Sequence, residues 1–428
     1  MLLQFESFNQ LIWLIFTVLY FYQFIYVMVS LFPGNQRRKE TPPPRFHHYA
    51  VISAARNEEK VIGNLISSIK QQDYPADLVD VYVIADNCKD RTAKAARAAG
   101  AIAYERFNFQ QIGKGYALDY FFQQLKQDNL FDQYDGFFIF DADNLLDQSY
   151  ISEMNKLFDR NRNNVLTSYR NSKNYDTNWI SAGSSLWFMR EARFLNYSRT
   201  LLNTSCTVSG TGFLLKKNII EKNHGWKYHL LTEDIEFSID CVLHGEKIGY
   251  CPTAVFYDEQ PVTFQQSWLQ RLRWAKGFYQ VFHKYGPKLS QALFQENKHL
   301  LSSYDMLMVV LPSMFLTLLS FIVDIGFLAF GFYGNLSTKL FSIIVPTAAI
   351  ALAAALFNFY AVLFVMGALT TIAEWKKIKC VWWKKILYCF SFPIFIASYI
   401  PISLVALFQK VEWKPITHTV TKTIEQVR

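Results

Sequence analysis

The stretch Phe137-Phe138-Ile139-Phe140-Asp141-Ala142-Asp143 places four apolar residues directly before two carboxylates one residue apart. A short unbroken apolar run of this kind predicts a strand buried on both faces, as strands are in parallel sheets covered by helices. Ligands of such sheets sit beyond the carboxyl ends of the strands, so Asp141 and Asp143 are expected on a binding rim. Two carboxylates there suit a hard divalent cation, Mg²⁺ or Mn²⁺, and the phosphates it bridges. A bare Asp-x-Asp also occurs in ordinary solvated turns, so its weight comes from what surrounds it.

Working toward the N-terminus, His48 to Ala55 is a second apolar run and ends in Arg56-Asn57-Glu58-Glu59. Val79 to Ala85 is a third and ends on Asp86. Ala101 to Tyr104 predicts a further strand. Helices are expected between them, over Val61 to Ile69, Arg91 to Ala99 and Tyr116 to Lys126, the last opened by Gly113-Lys114-Gly115. The fold class is therefore an α/β domain with a mainly parallel sheet, and a single rim is expected to collect Glu58, Asp86 and Asp141. Lys114 is a candidate phosphate contact, although Gly-Lys-Gly lacks P-loop spacing and a surface turn explains it equally well.

Toward the C-terminus, Leu166 to Tyr169 is strand-like, Ile180 to Leu201 helical, and Ser209-Gly210-Thr211-Gly212 a turn. Asp234, in the partly apolar Leu230-Leu231-Thr232-Glu233-Asp234, is placed to take a proton from a hydroxyl. The competing expectation is a helix start capped by Thr232 with early acids behind it. Gln270-x-x-Arg273-Trp274 falls on an amphipathic helix from Phe264 to Tyr279, whose Trp268, Leu269, Leu272 and Phe278 are available to a membrane interface. Arg273 offers charge to a departing diphosphate and Trp274 a flat face to a sugar ring. An ordinary interfacial helix with anchoring Arg and Trp residues is the plainer alternative.

Leu11 to Phe32 carries no charge, long enough for a spanning helix of roughly 20 residues. No small-residue cleavage site follows it, which favours a retained anchor over a signal peptide. Three more apolar stretches, 306 to 333, 340 to 372 and 386 to 408, follow residue 300. The basic, aromatic loop Trp375 to Lys385 and the basic run Arg37-Arg38-Lys39 put the central domain in the cytoplasm by the positive-inside rule. The expected organisation is an anchor (1–33), a Pro-rich linker (34–46), an α/β domain (47–262), interfacial helices (263–300), membrane helices (301–410) and a tail (411–428). Three C-terminal spans would leave Glu412-Trp413-Lys414-Pro415 on the outer side, unless 340 to 372 hides a hairpin or a lateral segment that brings the tail inside. Asp324, inside a spanning stretch, is expected to line a polar path. The net charge of +8 concentrates at membrane edges and beside the acidic islands, which fits lipid headgroups and a diphosphate and excludes a nucleic-acid stripe. Six cysteines without a Cys-x-x-Cys pair exclude a zinc site or a disulfide framework, and His224 and His229 are expected to be structural.

Taken in order, the lone Asp86, the Asp141-x-Asp143 pair, Thr232-Glu233-Asp234 and Gln270-x-x-Arg273-Trp274 resemble the family 2 glycosyltransferases over about Val51 to Gln280. These are inverting enzymes with a GT-A nucleotide-sugar domain, and the resemblance is strongest to membrane-embedded synthases of cellulose, chitin, hyaluronan and poly-N-acetylglucosamine. It implies a nucleotide-sugar site at Ala54, Arg56, Glu58, Asp86, Lys114, Asp141 and Arg273, and a metal ligand at Asp143. Asp234 would be the general base, with Gly210, Thr211, Glu233, Gln270 and Trp274 on the acceptor side. The implied activity is hexosyl or N-acetylhexosaminyl transfer from a UDP-sugar to a growing polysaccharide, at the plasma membrane. Ceramide glucosyltransferases carry a similar pattern, so a lipid acceptor is the alternative, and a non-catalytic membrane subunit the third. A polymer would need a narrow channel or one assembled in an oligomer. The island Ala85-Asp86-Asn87-Cys88 lacks the serine that many members carry after the aspartate.

Overall fold

Side chains alternate between two buried faces along the central strands of a computed structural model, which describes residues 1–32, 44–160, 163–295, 299–312, 314–334, 336–415 and 418–427. The basic run at 37–39 and Pro42 and Pro43 of the expected linker lie outside these residues. The strands are β1 (Tyr49–Ala55), β2 (Val79–Asp86), β3 (Ile102–Arg106), β4 (Gly136–Asp141), β5 (Leu145–Leu146), β6 (Val165–Ser172), β7 (Phe213–Lys216) and β8 (Ile248–Asp258). Ala50, Ile52, Ile84, Phe137 and Ile139 face one core, while Val51, Val83, Phe138 and Phe140 face the other. Helices α1 (Leu2–Leu31), α2 (Ile62–Lys70), α3 (Thr92–Ala98), α4 (Lys114–Gln127), α5 (Tyr150–Arg160), α6 (Trp179–Arg190), α7 (Tyr197–Leu201), α8 (Lys217–Lys222) and α9 (Glu233–Leu243) precede the C-terminal third. α4 and α9 cover the first core and α2, α3 and α5 the second.

The sheet order is β3-β2-β1-β4-β7-β6-β8-β5. β1 runs parallel to β2 and β4, β2 to β3 and β6 to β8, whereas β7 is antiparallel to β4 and β6, and β5 to β8. The sheet is therefore mixed. The chain enters β7 at the rim, where Phe213 pairs with Ile139 near the end of β4, and runs back to pair Lys216 with Gly136. That reversal leaves Ser209 to Gly212 on the rim. α6 passes into α7 through a stretch of wider π-helix, Glu191–Asn196.

The C-terminal third holds α10 (Phe264–Ala292), α11 (Leu300–Val310), α12 (Met314–Tyr333), α13 (Thr338–Ala373), α14 (Trp382–Ala397) and α15 (Tyr399–Phe408). Among the described residues, four segments are long and apolar enough to cross a membrane: Leu2–Leu31, Met314–Tyr333, Thr338–Ala373 and Trp382–Phe408. Three of the sequence expectations are corrected here. The stretch 306 to 333 is not one span, because Leu311 turns extended before Pro312 and α11 docks on α9 and α10. Nor does 340 to 372 hide a hairpin, since α13 is one helix. α10 runs beyond Tyr279 to Ala292, and Leu272, expected at the membrane interface, is buried against Ile402 and Ala406 of α15.

The last apolar segment lies along the α/β domain. Arg271 donates to the Phe395 carbonyl at 2.9 Å, Tyr279 to the Ser403 carbonyl at 3.1 Å and Lys276 to the Ala406 carbonyl at 3.0 Å. A Cβ on Gly183 of α6 would stand 2.5 Å from the Phe395 ring. α1 bridges two regions: Ser30 donates to the Arg193 carbonyl at one end, and Phe5 stacks on Phe327 of α12 at the other. Asp324 accepts from Asn9 at 2.8 Å, so it joins α12 to α1.

Candidate active site

A cavity of about 510 Å³ opens at the carboxyl ends of β1, β2 and β4 and extends between α6, α9, α10 and the first turn of α12. Its wall includes Ala54, Arg56, Glu58, Asp86, Lys114, Asp141, Asp143, Gly210, Glu233, Asp234, Gln270, Arg273 and Trp274. Thirteen of the fourteen residues singled out from sequence thus share one space. The exception is Thr211, which sits behind the wall: its hydroxyl accepts from the Asp141 backbone amide at 2.9 Å and donates to Asn144. It braces the Asp141 turn and does not face an acceptor.

Each group has a local cause. Asp86 ends β2 and accepts from Arg106, which ends the neighbouring β3, at 2.6 Å. Burial raises the Asp86 carboxyl even against that guanidinium. Lys114 begins α4 and donates to Asp141 and, at 2.7 Å, to the Gly210 carbonyl, so it ties the β4 rim to the β7 entry. Gly210 has a φ of 81°, a conformation glycine adopts cheaply, and its α-carbon lies beside the Asp234 carboxylate. Gly115 is required because a Cβ would fall 2.0 Å from the Tyr228 carbonyl oxygen.

Asp234 lies in the first turn of α9, and Thr232 does not cap that helix: its hydroxyl is buried without a partner among the described residues. Burial pushes the Asp234 carboxyl up to about 6, opposed by its hydrogen bond from the Ile235 amide and by the Lys114 and Arg273 charges. Glu233 rises to about 7, from burial and then the Asp234 charge. Arg273 reaches the Leu231 carbonyl at 3.4 Å, and Trp274 meets Phe188 edge to face. α10 approaches this loop closely through Gly277, where a Cβ would stand 2.5 Å from Thr232 Cγ2.

The tail returns to the rim, a placement the sequence left open. His418 bonds Glu58 at 2.8 Å, Trp413 lies under the Arg56 guanidinium, and Glu259 accepts from the Thr419 and Val420 amides. Burial alone would lower His418, but the Asp143 charge and the Glu58 bond outweigh it and raise the imidazole to about 10. Asp143 accepts from the Glu259 amide at 2.8 Å. Burial works to raise its carboxyl, and the His418 and Lys173 charges outweigh it. Among the described residues no three His, Cys, Asp or Glu side chains cluster tightly enough to cage a metal ion. Oxygen donors on Asp141 and Asp143 still fit Mg²⁺ or Mn²⁺, which bind through one or two carboxylates completed by substrate phosphates.

Arg106, Arg170, Arg190, Glu191, Asp258 and His418 escaped the sequence reading, whereas Trp413 was named in it, in a tail that three C-terminal spans would leave on the outer side. Arg170 pairs with Asp258 at 2.6 Å and covers the Phe188 ring at 3.5 Å. Only Arg106 and Asp258, both at strand ends, carried a signal that strand periodicity would have found.

A rim of strand-end carboxylates beside a buried, basic-flanked carboxyl and an Arg-Trp pair is the arrangement expected of a GT-A glycosyltransferase domain. The chain belongs to the glycosyltransferase-like family 2, whose model matches residues 44–277. It is similar to the probable glycosyltransferase YdaM of Bacillus subtilis, 27% identical over 54% of this chain and 55% of that one. Similar relatives are a β-monoglucosyldiacylglycerol synthase of Synechocystis (26%; 61% and 54%) and a poly-β-1,6-N-acetyl-D-glucosamine synthase of Staphylococcus epidermidis (26%; 53% and 54%). The chain thus spans about half the length of the curated relatives it matches. Among solved structures, the mannosyltransferase PcManGT of Pyrobaculum calidifontis, in complex with GDP-Man and Mn²⁺, aligns over 94% of this chain and 99% of its own. At 16% identity and a TM-score of 0.54, that likeness shows the shared fold.

Proposed function

We propose that the chain moves a hexose or N-acetylhexosamine from a UDP-sugar to a hydroxyl of a membrane lipid, with inversion at the anomeric carbon. The supporting observation is the continuity of the cavity. Its rim end carries Asp86, Asp141 and Asp143, and its other end is lined by Tyr22 of α1, Met308 of α11, Met314 of α12 and Tyr399 of α15. The nucleotide lies on the rim and the acceptor enters from the apolar end. Ionised Asp234 takes the hydroxyl proton as the acceptor oxygen bonds to the anomeric carbon. The bond from that carbon to the diphosphate oxygen breaks, and UDP leaves against Arg273 and Lys114. A divalent ion held by Asp143 and the diphosphate would supply further charge neutralisation to the leaving group.

This acceptor differs from the polysaccharide expected from sequence. The helices leading away from the domain are α1, α12 and α13, and the far end of the cavity is mainly apolar. With α14 and α15 lying along the domain, three crossings return the tail to the cytoplasmic side, where it meets the nucleotide rim. Transfer to a growing polysaccharide is the second reading, favoured by the aromatic walls at Trp187 and Trp274, which suit sugar rings. Incubation of the purified full chain with labelled UDP-sugars, with and without Mn²⁺, tests both. One lipid-soluble product supports the first reading and a size ladder the second; absence of transfer and of UDP release from every nucleotide sugar rejects both.

A further inference from the structure

Of the five arginines on the cavity wall, Arg56 lies over Trp413 on the nucleotide rim, three more have visible employment, and one does not. Arg170 pairs with Asp258, Arg199 with Asp305, and Arg273 stands beside Asp234 at the leaving-group position. Arg190, the last residue of α6, is 9% exposed, and among the described residues it has no carboxylate within ion-pair distance. Its guanidinium donates to Gln23 Oε1 of α1 at 2.6 Å and lies over the Trp187 ring at 5.1 Å. The adjacent Glu191 carboxylate is already engaged, accepting from the Ser209 and Thr207 hydroxyls. A guanidinium cannot shed its charge, and a buried unpaired charge is costly, so this arrangement is suited to an anion brought in by a ligand.

The position of Arg190 says which anion. Its partner comes from a membrane helix, and Tyr22 and Gln23 of α1 line the same end of the cavity. The rim that serves the nucleotide has its own cations in Lys114, His418 and Arg56. We propose that Arg190, with Gln23, holds the phosphate of an acceptor lipid's headgroup and so presents a nearby headgroup hydroxyl to Asp234. A planar fork of N–H donors matches phosphate oxygens in pairs, and an apolar surrounding strengthens the attraction. The acceptor class is then a phosphate-bearing lipid, in contrast to a neutral glyceride. This rests on the lipid-acceptor reading above.

The test uses the full chain in micelles of a neutral polyoxyethylene detergent, with the labelled UDP-sugar found to be turned over. Phosphatidylglycerol and diacylglycerol at matched mole fraction are compared as acceptors, with water-soluble glycerol phosphate as a third arm. The expected result is an acceptor KM for phosphatidylglycerol about tenfold or more below that for diacylglycerol, the scale of one charge-assisted hydrogen-bond pair. In Arg190→Gln that preference collapses to about unity, and in Arg190→Lys part of it survives. The preference is a ratio within one sample, so partial misfolding of a variant cancels from it. Equal use of the two lipids by the unaltered chain overturns the proposal whatever the variants do. So does an Arg190→Gln protein that loses both activities alike, which would make the residue a strut between α6 and α1. Glycerol phosphate used as well as the lipid would show a soluble phosphate ligand and overturn the lipid assignment. Failure of donor turnover altogether would instead reject the underlying glycosyltransfer reading.

Discussion

Asp234 is a carboxyl that the fold holds at an energetic disadvantage when ionised, and the same burial suits it to the proposed role of base near neutral pH. Its value rises from 3.8 to about 6 on folding, so the stability linked to its protonation is full below about pH 3.8 and lost as pH rises through about 6. Asp234→Asn is therefore expected to raise the unfolding temperature relative to the unaltered chain at pH 8 and to leave it close to unchanged at pH 4. Thermal unfolding at the two pH values measures this, and an equal shift at both would contradict it. Sugar transfer by the same variant should fall by about 10²–10⁴, the usual contribution of a positioned base. For the unaltered chain, kcat/KM should decline as pH drops through about 6; a profile flat to pH 5 would remove Asp234 from that role.

At the scale of elements, α10 and the loop before α9 are registered by a missing side chain. A Cβ on Gly277 would meet Thr232 Cγ2 at 2.5 Å and the Thr232 amide nitrogen at 2.9 Å, and backbone there cannot swing aside as a flexible side chain does. Gly277→Ala should cost about 1–3 kcal/mol of stability, the range for overpacking a filled site. It should also lower kcat more than it raises the nucleotide-sugar KM, because Asp234 moves and the rim does not. Chemical denaturation and steady-state kinetics on one preparation decide this, and a KM effect alone would place the clash elsewhere. β1, β2 and β4 and the acids that follow them were legible because a parallel strand writes its burial as an unbroken apolar run and delivers its ligand residue one step later; β8 and its Asp258, interrupted by Pro252 and Thr253, were not. β7 was not read as a strand at all, since four residues make too short a run, and its direction is fixed only by pairing with β4. The π segment has no period of its own in the sequence.

Across the whole molecule, distant pairs join membrane and catalytic regions. Arg199 and Asp305 are both buried, bond through two contacts at 2.6 and 2.9 Å, and Asp305 also accepts from Tyr26 of α1. Asp305→Ala leaves a guanidinium with nowhere to go and should cost about 3–5 kcal/mol, whereas Arg199→Met with Asp305→Leu should recover most of it. Unfolding in detergent compares the three proteins, and a double variant no better than the single one would refute the account. Such pairs explain what the sequence could not tell. Gln23 and Arg190 stand 167 positions apart, and Glu58 and His418 360 apart, so neither falls within any local pattern. The acid islands were readable one by one, but the tail's return over them followed from α14 and α15 lying along the domain, which composition cannot distinguish from a crossing.

The widened coil at Glu191–Asn196 sets the angular phase of everything after it on that rod. Tightening it to ordinary α pitch at unchanged length would rotate Arg199 by about 100° about the axis. Its guanidinium would then point away from Asp305, while Arg190, upstream, kept its heading. Loss of one residue together with the wide pitch would cancel that turn, so it is a change of pitch or of length alone, not of both, that misaims Arg199.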